Sequence, residues 1–437
     1  MKTYDSYKPS GIEWIGEIPS HWEDVRIKQL AVGENTLFLD GDWIESTEIV
    51  FDENNIRYIT TGNIGEGKYK EQGSGFITEE TFKKLNCTEV FPGDLVISRL
   101  NPPIGRACII PDLGKRIVTS VDNVILRPND RYSKHFLVYF FSNSKYYEFT
   151  LLEGRGATMQ RISRSILGNI KIVVPKSIEE QTTIAHYLDR KTAEIDALIA
   201  DKKRLLDLYE EEKTALINQA VTKGLDPTVP MKDSGIEWLG EVPAHWEVSR
   251  MKNICSVRQG LQIPIEKRHL TQIENSFEYI TIRSINNPDN PKEYIENPPK
   301  NVICDFADIL MARTGATGEP IINVSGVFHN NFFLIDYDRK QVDRMFLYYF
   351  LKSSRIKEYL LLMAGTTTIP DLNHGDFYNT PFFKFEIQEQ KAIVHYIETE
   401  SSRVDTKIAK TKKLINLLTE YRTALISEVV TGKVKVV

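Results

Sequence analysis

The chain has 437 residues, of which 41% are hydrophobic and 26% charged, with a formal net charge of −5. This is an ordinary globular composition, long enough for more than one core, and the negative balance argues against indiscriminate polyanion binding. No run approaches the ~18–20 apolar residues of a bilayer span and the first ten residues hold no apolar signal core, so no membrane role and a cytoplasmic location are expected. Cys87, Cys108, Cys255 and Cys304 lie far apart with no C-x-x-C pair, which suggests neither a zinc site nor a disulfide framework.

The first feature along the chain is a stretch that recurs. Residues 10–23 read SGIEWIGEIPSHWE and residues 234–247 read SGIEWLGEVPAHWE, identical at eleven of fourteen positions. An internal duplication follows. Trp14, Trp22, Trp238 and Trp246 in these copies are expected to anchor each lead-in segment to its globule. His21 and His245, also inside the repeats, point to packing rather than catalysis.

After the first copy, short β-like runs at 57–61, 95–98, 107–110 and 121–126 are separated by glycine and proline turns. Within them, Gly62–Lys68 reads like the first seven positions of a phosphate-binding loop. The eighth is Tyr69 rather than Ser or Thr and no apolar helix follows, so a glycine turn is expected. Asn101-Pro102-Pro103-Ile104 resembles the N-P-P-aromatic signature of DNA amino-methyltransferases. Ile104 replaces the aromatic that would stack on a flipped base, and no glycine-rich cofactor loop precedes it. Methyl transfer by this chain alone is not expected.

His135, Phe136, Tyr139, Phe140 and Tyr147 then recur at helical spacing, predicting one amphipathic helix over 133–152. A polar loop at 154–161, a short helix and a last strand at 170–174 close the globule. Ser177-Ile-Glu-Glu180 has the spacing of a capping box and opens a long helix whose apolar stripe runs from Ile195 to Ile217, stopped by Gly224 and Pro227. The second half repeats this order: strand 279–282, strand 307–313 matching 93–99, a helix over 346–363, a polar loop at 365–370, a strand at 382–385, and a second long helix ending near Gly432. EQTTIAHYL at 180–188 is answered by EQKAIVHYI at 389–397. Each long helix spans ~60 Å at 1.5 Å per residue, and a single apolar stripe needs a partner. If the two stripes meet, chain order makes them antiparallel, brings the C-terminus beside the N-terminus and relates the globules by a pseudo-twofold axis. The alternative is that each helix packs only on its own globule.

Charge is distributed unevenly. Residues 97–176 carry 13 Lys/Arg against 5 Asp/Glu, residues 1–96 carry 9 against 18, and residues 226–385 carry 17 against 20. One basic face on the first globule is therefore expected. Arg99 and Arg313 each follow a strand at matched positions, and Arg155, Arg161 and Arg164 cluster about a polar loop. Arginine reads guanine edges and clamps phosphate, and Thr, Gln and Asn make similar contacts. Nothing assembles a nucleophile, a base and an oxyanion site.

Two divergent globules, each closing in a strand and an E-Q-x-x-I run that opens a long helix, resemble the specificity subunit of type I restriction–modification enzymes. The marks are Gly93-Asp-Leu-Val-Ile-Ser-Arg99, Ala307-Asp-Ile-Leu-Met-Ala-Arg-Thr-Gly315, Val174-Pro175 with Glu180-Gln181, and Glu389-Gln390. Ala307 stands where a glycine is usual, and Lys384-Phe385 lacks the proline. The resemblance implies an α+β fold in which two duplicated α/β target-recognition globules, residues 1–177 and 225–385, are separated by spacer helices, residues 178–224 and 386–437, forming an antiparallel coiled coil with pseudo-twofold symmetry. It implies a chain that reads double-stranded DNA as a split, asymmetric site and does no chemistry. Two modification (methyltransferase) subunits carrying S-adenosylmethionine would dock on the helices, through positions such as Leu188 or Leu417. Restriction subunits using ATP and magnesium would join them, and this chain itself would bind no cofactor and no metal. The candidate DNA contacts are Lys68, Arg99, Asn101, Arg106, Arg155, Thr158, Gln160, Arg161 and Arg164 in the first globule. In the second they are Arg283, Arg313, Thr314, Thr317, Thr366, Thr367, Thr368 and Asn373. Two other classes stay open at this point. A self-contained restriction or modification enzyme would methylate or cut DNA unaided, and a non-DNA coiled-coil adaptor would show no sequence-dependent binding.

Overall fold

A computed structural model describes residues 3–73, 75–156, 159–287, 289–365 and 370–436. The chain divides into two compact units, Met1–Lys203 with Lys413–Val437, and Arg204–Lys412. Each unit is thus one globule together with part of both long helices.

In the first unit the lead-in forms a hairpin, Tyr7–Pro9 against Glu17–Pro19, and the next strand, Trp22–Arg26, pairs antiparallel with the closing strand Lys171–Pro175. The globule's end is therefore tied to its beginning. Between them lies a four-stranded antiparallel sheet in the order Leu37–Asp40, Asn123–Arg127, Leu95–Ser98, Ala107–Ile109. A second sheet has the order Phe76–Ile77, Ile56–Ile59, Ile117–Thr119, the last two strands parallel. Alternate side chains of a strand face opposite sides of its sheet. Leu95, Ile97, Val124 and Leu126 face the helix carrying Phe136 and Phe140, while Val96 and Ile125 face Ile59 and Ile117 of the second sheet. Both faces are covered, which is why these runs are apolar throughout rather than alternating. The sheets meet at Gly41, where a Cβ would stand 2.3 Å from the Thr119 carbonyl oxygen, so no side chain fits.

The second unit is built the same way. Its antiparallel sheet has the order Cys255–Gln259, Phe332–Tyr337, Ile309–Ala312, Pro320–Ile322. Its second sheet again contains one parallel pair, Ser276–Ile280 with Gly326–Phe328. Gly260 repeats the role of Gly41, a Cβ there falling 2.2 Å from the His329 carbonyl oxygen.

The single helix expected over 133–152 is two, Lys134–Phe140 and Ser144–Glu153. The break is made by buried Asn143, whose side-chain oxygen accepts the Lys145 amide at 2.9 Å and so caps a new helix. The second globule corrects the expectation in the same way: Arg344–Lys352 and Ser354–Met363 are separated at Ser353. There Asn218 of the first long helix accepts the Ser354 amide at 2.9 Å.

The long helices run Ile178–Lys223 and Ile387–Val430. Ser177 Oγ accepts the Glu180 amide at 3.2 Å, half of the expected capping box, and Gly224 (φ +70°) and Gly432 (φ +73°) take left-handed conformations beyond the ends. In the first unit Arg422 makes a two-pronged pair with Asp196 at 2.8 and 3.1 Å, and Ile195 shares a core with Leu425, Ile426 and Val429. In the second, Lys213 pairs with Asp405 at 2.7 Å, and Lys407 lies over the Tyr209 ring and meets Glu212. Residue numbers rise along one helix as they fall along its partner, so the pairing is antiparallel, and packing of each helix on its own globule alone is ruled out. Leu188, expected on the outside, is fully buried, whereas Leu417 is half exposed. The C-terminal segment reaches the lead-in, with the Lys433 ammonium on the Glu17 carbonyl and Lys435 over the Tyr4 ring.

The repeated motifs explain one another. Glu180 accepts the Trp22 indole at 3.1 Å through one oxygen and contacts His21 Nε2 at 2.9 Å through the other. Glu389 does the same with Trp246 at 3.0 Å and His245 at 2.9 Å. Gln181 accepts the Ser133 amide and donates to the Arg131 and Pro175 carbonyls. Gln390 accepts the Asp343 amide and donates to those of Gln341 and Phe385. The Glu thus holds the lead-in, and the Gln locks the end of the closing strand to the N-cap of helix Lys134–Phe140 in one unit and of Arg344–Lys352 in the other. The fold uses Trp22 and Trp246 as the expected anchors, whereas His21 and His245, about half exposed, bond the same glutamates rather than pack in a core.

Candidate nucleic-acid interface

Each globule has one polar junction where four segments converge. In the first it comprises the end of strand Leu37–Asp40, the residue after strand Leu95–Ser98, the turn before strand Asn123–Arg127, and the loop leading into the short helix Arg164–Asn169. Backbone bonds fix it: the Arg99 amide donates to the Asp122 carbonyl at 2.8 Å and the Ile162 amide to the Arg99 carbonyl at 3.0 Å. The second globule uses the same frame, the Arg313 amide donating to the Asn331 carbonyl at 2.7 Å and the Leu372 amide to the Arg313 carbonyl at 3.1 Å. These bonds and the element ends put Asp40, Arg99, Asp122, Arg161 and Arg164 in register with Gln259, Arg313, Asn331, Asp371 and His374.

The side chains on that shared frame differ. In the first globule Arg161 pairs with Asp122 at 2.8 Å, Arg99 with Asp40 at 3.1 Å, and Arg164 lies 3.7 Å from Asp40. Three arginines face two carboxylates. In the second, Arg313 makes a two-pronged pair with Asp371 at 2.5 and 2.7 Å, and amides stand where the first globule has Asp40 and Asp122. Arg313 draws the Asp371 carboxyl below its usual range. Burial raises the Asp40 carboxyl against the opposing pull of Arg99, and burial lowers Arg99.

Arg99 is 3% exposed, and its guanidinium donates to the Ile162 and Val121 carbonyls. It is a buried clamp and not, as the sequence suggests, a residue free to meet a duplex. Arg99→Ala is expected to cost about 3–5 kcal/mol of stability, because it strands the Asp40 carboxylate and two carbonyls. Chemical denaturation measures this; a loss under about 0.5 kcal/mol would mark an ordinary surface residue instead. Arg106 is also withdrawn, its guanidinium taking the carbonyls of Ile64, Thr61, Leu100, Asn101 and Pro103. It shapes the loop beneath the surface.

That surface joins most of the remaining candidates in the first globule. The amide of exposed Asn101 donates to the Gln160 carbonyl at 2.9 Å, and Leu100 and Arg155 each bridge to Arg161. Asn101, Arg155 and Arg161 are exposed, and Gln160 and Arg164 half-buried. Thr158 lies outside the described residues. Exposed Lys68 lines a different cleft of about 290 Å3, with Tyr139, Asp189 and Arg422. The glycine run before it is a hairpin turn, Ile64 bridging to Tyr69, as the sequence suggests.

In the second globule Thr314 is half-buried beside Arg313, but Thr317 is buried and its hydroxyl donates to the Pro370 carbonyl at 2.8 Å. Thr317 is therefore a loop tie, a correction to its reading as a contact. Asn373 is exposed and caps the helix His374–Asn379, accepting the Asp376 amide at 2.9 Å. Thr366, Thr367 and Thr368 lie outside the described residues. Arg283 is exposed at the mouth of a cleft of about 580 Å3 that also holds Arg268, Tyr279, His329 and Asn331. Arg268 lies over the Tyr279 ring and pairs with Glu293 at 2.9 Å. Burial, with Arg268 nearby, lowers the His329 pKa and favours its neutral form. Sequence reasoning missed Asp40, Asp122, His329 and Asn331, which reach these sites only through sheet pairing.

The family model for the type I restriction modification DNA specificity domain matches twice, at residues 19–207 and 243–420. The chain belongs to the type I restriction–modification specificity family. Each match takes in one globule and most of the long helix that follows it, so the duplicated domains are those seen in the sequence. Among its relatives are two specificity subunits of Methanocaldococcus jannaschii type I restriction enzymes. The MjaIX subunit is 25% identical over 97% of this chain and 95% of its own length, and the MjaVIII subunit 23% over 74% and 76%. The fold is shared with the HsdS subunit from Thermoanaerobacter tengcongensis, with a TM-score of 0.61 at 15% identity, covering 95% of this chain and 98% of that one. It is shared equally with a chain from work on the assembly and conformational transition of a type I restriction–modification system, with a TM-score of 0.65 at 16% identity, covering 95% and 99%. Members of this specificity family recognise DNA and do not catalyse. Among the described residues no group of three or more His, Cys, Asp or Glu side chains is placed to hold a metal ion. No helix among them is long and apolar enough to cross a membrane.

Proposed function

We propose that each globule of this specificity subunit reads one half of a bipartite, asymmetric DNA site, and that the paired helices set the unread gap and dock two modification subunits. The observation that carries this is the pair of junctions: one backbone frame, two sets of polar side chains. A recognition scaffold duplicated to read two different sequences needs that combination, since phosphate contacts position a protein and side chains on base edges specify. Two unlike readers joined by antiparallel helices would each take their own stretch of one duplex, and paired major-groove readers commonly meet faces about one turn apart, ~34–36 Å. Exposed apolar side chains on the long helices, Leu198, Leu208, Leu414, Leu417 and Tyr421, suit docking of partner subunits. Those partners would carry S-adenosylmethionine for methylation and, on the restriction subunits, ATP with magnesium. This chain would then bind no cofactor of its own.

The test is to replace Arg155, Arg161 and Arg164 together by alanine, express the chain with its modification subunit, and map methylated sites across a genome. Recognition of one half-site is expected to be relaxed or abolished and the other half kept. Equal loss of both halves in a folded complex would overturn the reading.

A further inference from the structure

The Asp122 carboxylate that holds Arg161 is not demanded by the fold. Asn331 and Gln259 occupy the places of Asp122 and Asp40 in the second globule and serve the same backbone frame. The Asp122 side chain accepts no hydrogen bond of good geometry through Oδ1, although Arg161 Nε stands 2.8 Å away and that oxygen is buried. A carboxylate spent in this way adds little to packing, yet it engages one of the two exposed arginines of this surface, Arg161 being 42% exposed at its side chain. A carboxylate and a phosphate offer an arginine the same kind of charge-assisted acceptor.

We propose that Asp122, assisted by Asp40, is a positioning residue for DNA recognition: it holds Arg161 as an internal substitute for phosphate, so that the backbone of non-matching DNA must compete for it. Asp40 stands behind Arg164 at 3.7 Å and adds to the same effect. Non-specific binding is mostly neutralisation of phosphates, and its dependence on salt flattens with every phosphate left unengaged. Matched DNA, which also offers base edges, recovers the competition through bonds that random DNA lacks, and specificity is the difference between the two affinities. The proposal rests on the reading that this surface meets DNA.

Asp122→Asn copies the second globule and is expected to fold with an unchanged melting temperature. Its assembled complex is compared with the parent on matched and random duplexes across a salt series. Binding to random duplex is expected to tighten and its log–log salt slope to steepen by about 0.9, the equivalent of one neutralised phosphate. Raising salt from about 50 to about 200 mM would then cost a further factor of about 3.5. Matched binding changes less, so discrimination falls, and Asp122→Glu restores it. An unchanged random-duplex slope in Asp122→Asn, with Arg161→Ala still weakening matched binding, overturns the inference alone. If Arg161→Ala and Arg164→Ala also leave every affinity unchanged, the reading of the surface falls with it.

Discussion

Trp22→Ala is expected to lower the stability of the first unit by about 3–5 kcal/mol, the cost of emptying a fully buried aromatic site, while the second unit keeps its own unfolding transition. Trp22 is completely buried, meets Phe136 edge-on at 6.2 Å, and lies 3.4 Å from where a Cβ on Gly432 would stand. It therefore joins three parts of one unit that are far apart in sequence: the lead-in, the globular helix and the end of the second long helix. Its indole also feeds Glu180, which accepts the Tyr4 hydroxyl at 3.0 Å through the same oxygen. Removing the ring leaves Glu180 with Tyr4 and His21 and opens a hole that the flanking strands cannot close. Hydrogen exchange along Lys171–Pro175 and the second helix's last turns reports the effect, and Trp246→Ala is expected to do the same in the second unit alone. A uniform loss of protection in both units from either substitution would contradict the separate-seam account.

Much of this architecture is legible in the chain because duplication supplies its own control. Glu180-Gln181 and Glu389-Gln390 stand out only because they recur, and their indole partners, Trp22 and Trp246, recur with them. The antiparallel helices follow from chain order once each stripe is seen to need a partner. What escapes are features decided by convergence. Nothing local distinguishes Arg99 from Arg161 as a residue to be buried. Only the pairing of Asn123–Arg127 with both Leu37–Asp40 and Leu95–Ser98 brings Asp40 and Asp122 beside them and buries Arg99. The break at Asn143 escapes for a different reason. The apolar period continues across it, and a side-chain cap stops the helix without any Gly or Pro.

Shortening the helices is the other large effect expected. The Asp196–Arg422 pair lies in the first unit and the Lys213–Asp405 pair in the second. Removing seven residues from 197–212 and seven from 406–421 leaves both pairs and the seams of Trp22 and Trp246 in place. Seven residues are two helical turns, about 10.5 Å at 1.5 Å per residue, and the apolar stripe returns to within about 20° of its partner. If the helices set the gap, the methylated site is expected to keep both half-sequences and lose its original spacing, with a gap shorter by no more than about three base pairs at 3.4 Å each. The relative rotation of the two half-sites about the duplex axis changes with that spacing, so fewer sites and weaker methylation should accompany the change. Mapping methylation in cells expressing the shortened chain with its modification subunit decides the matter. A site of unaltered gap length would mean that the spacing is set by the globules or the partner subunits, and the helices would then be left with docking alone.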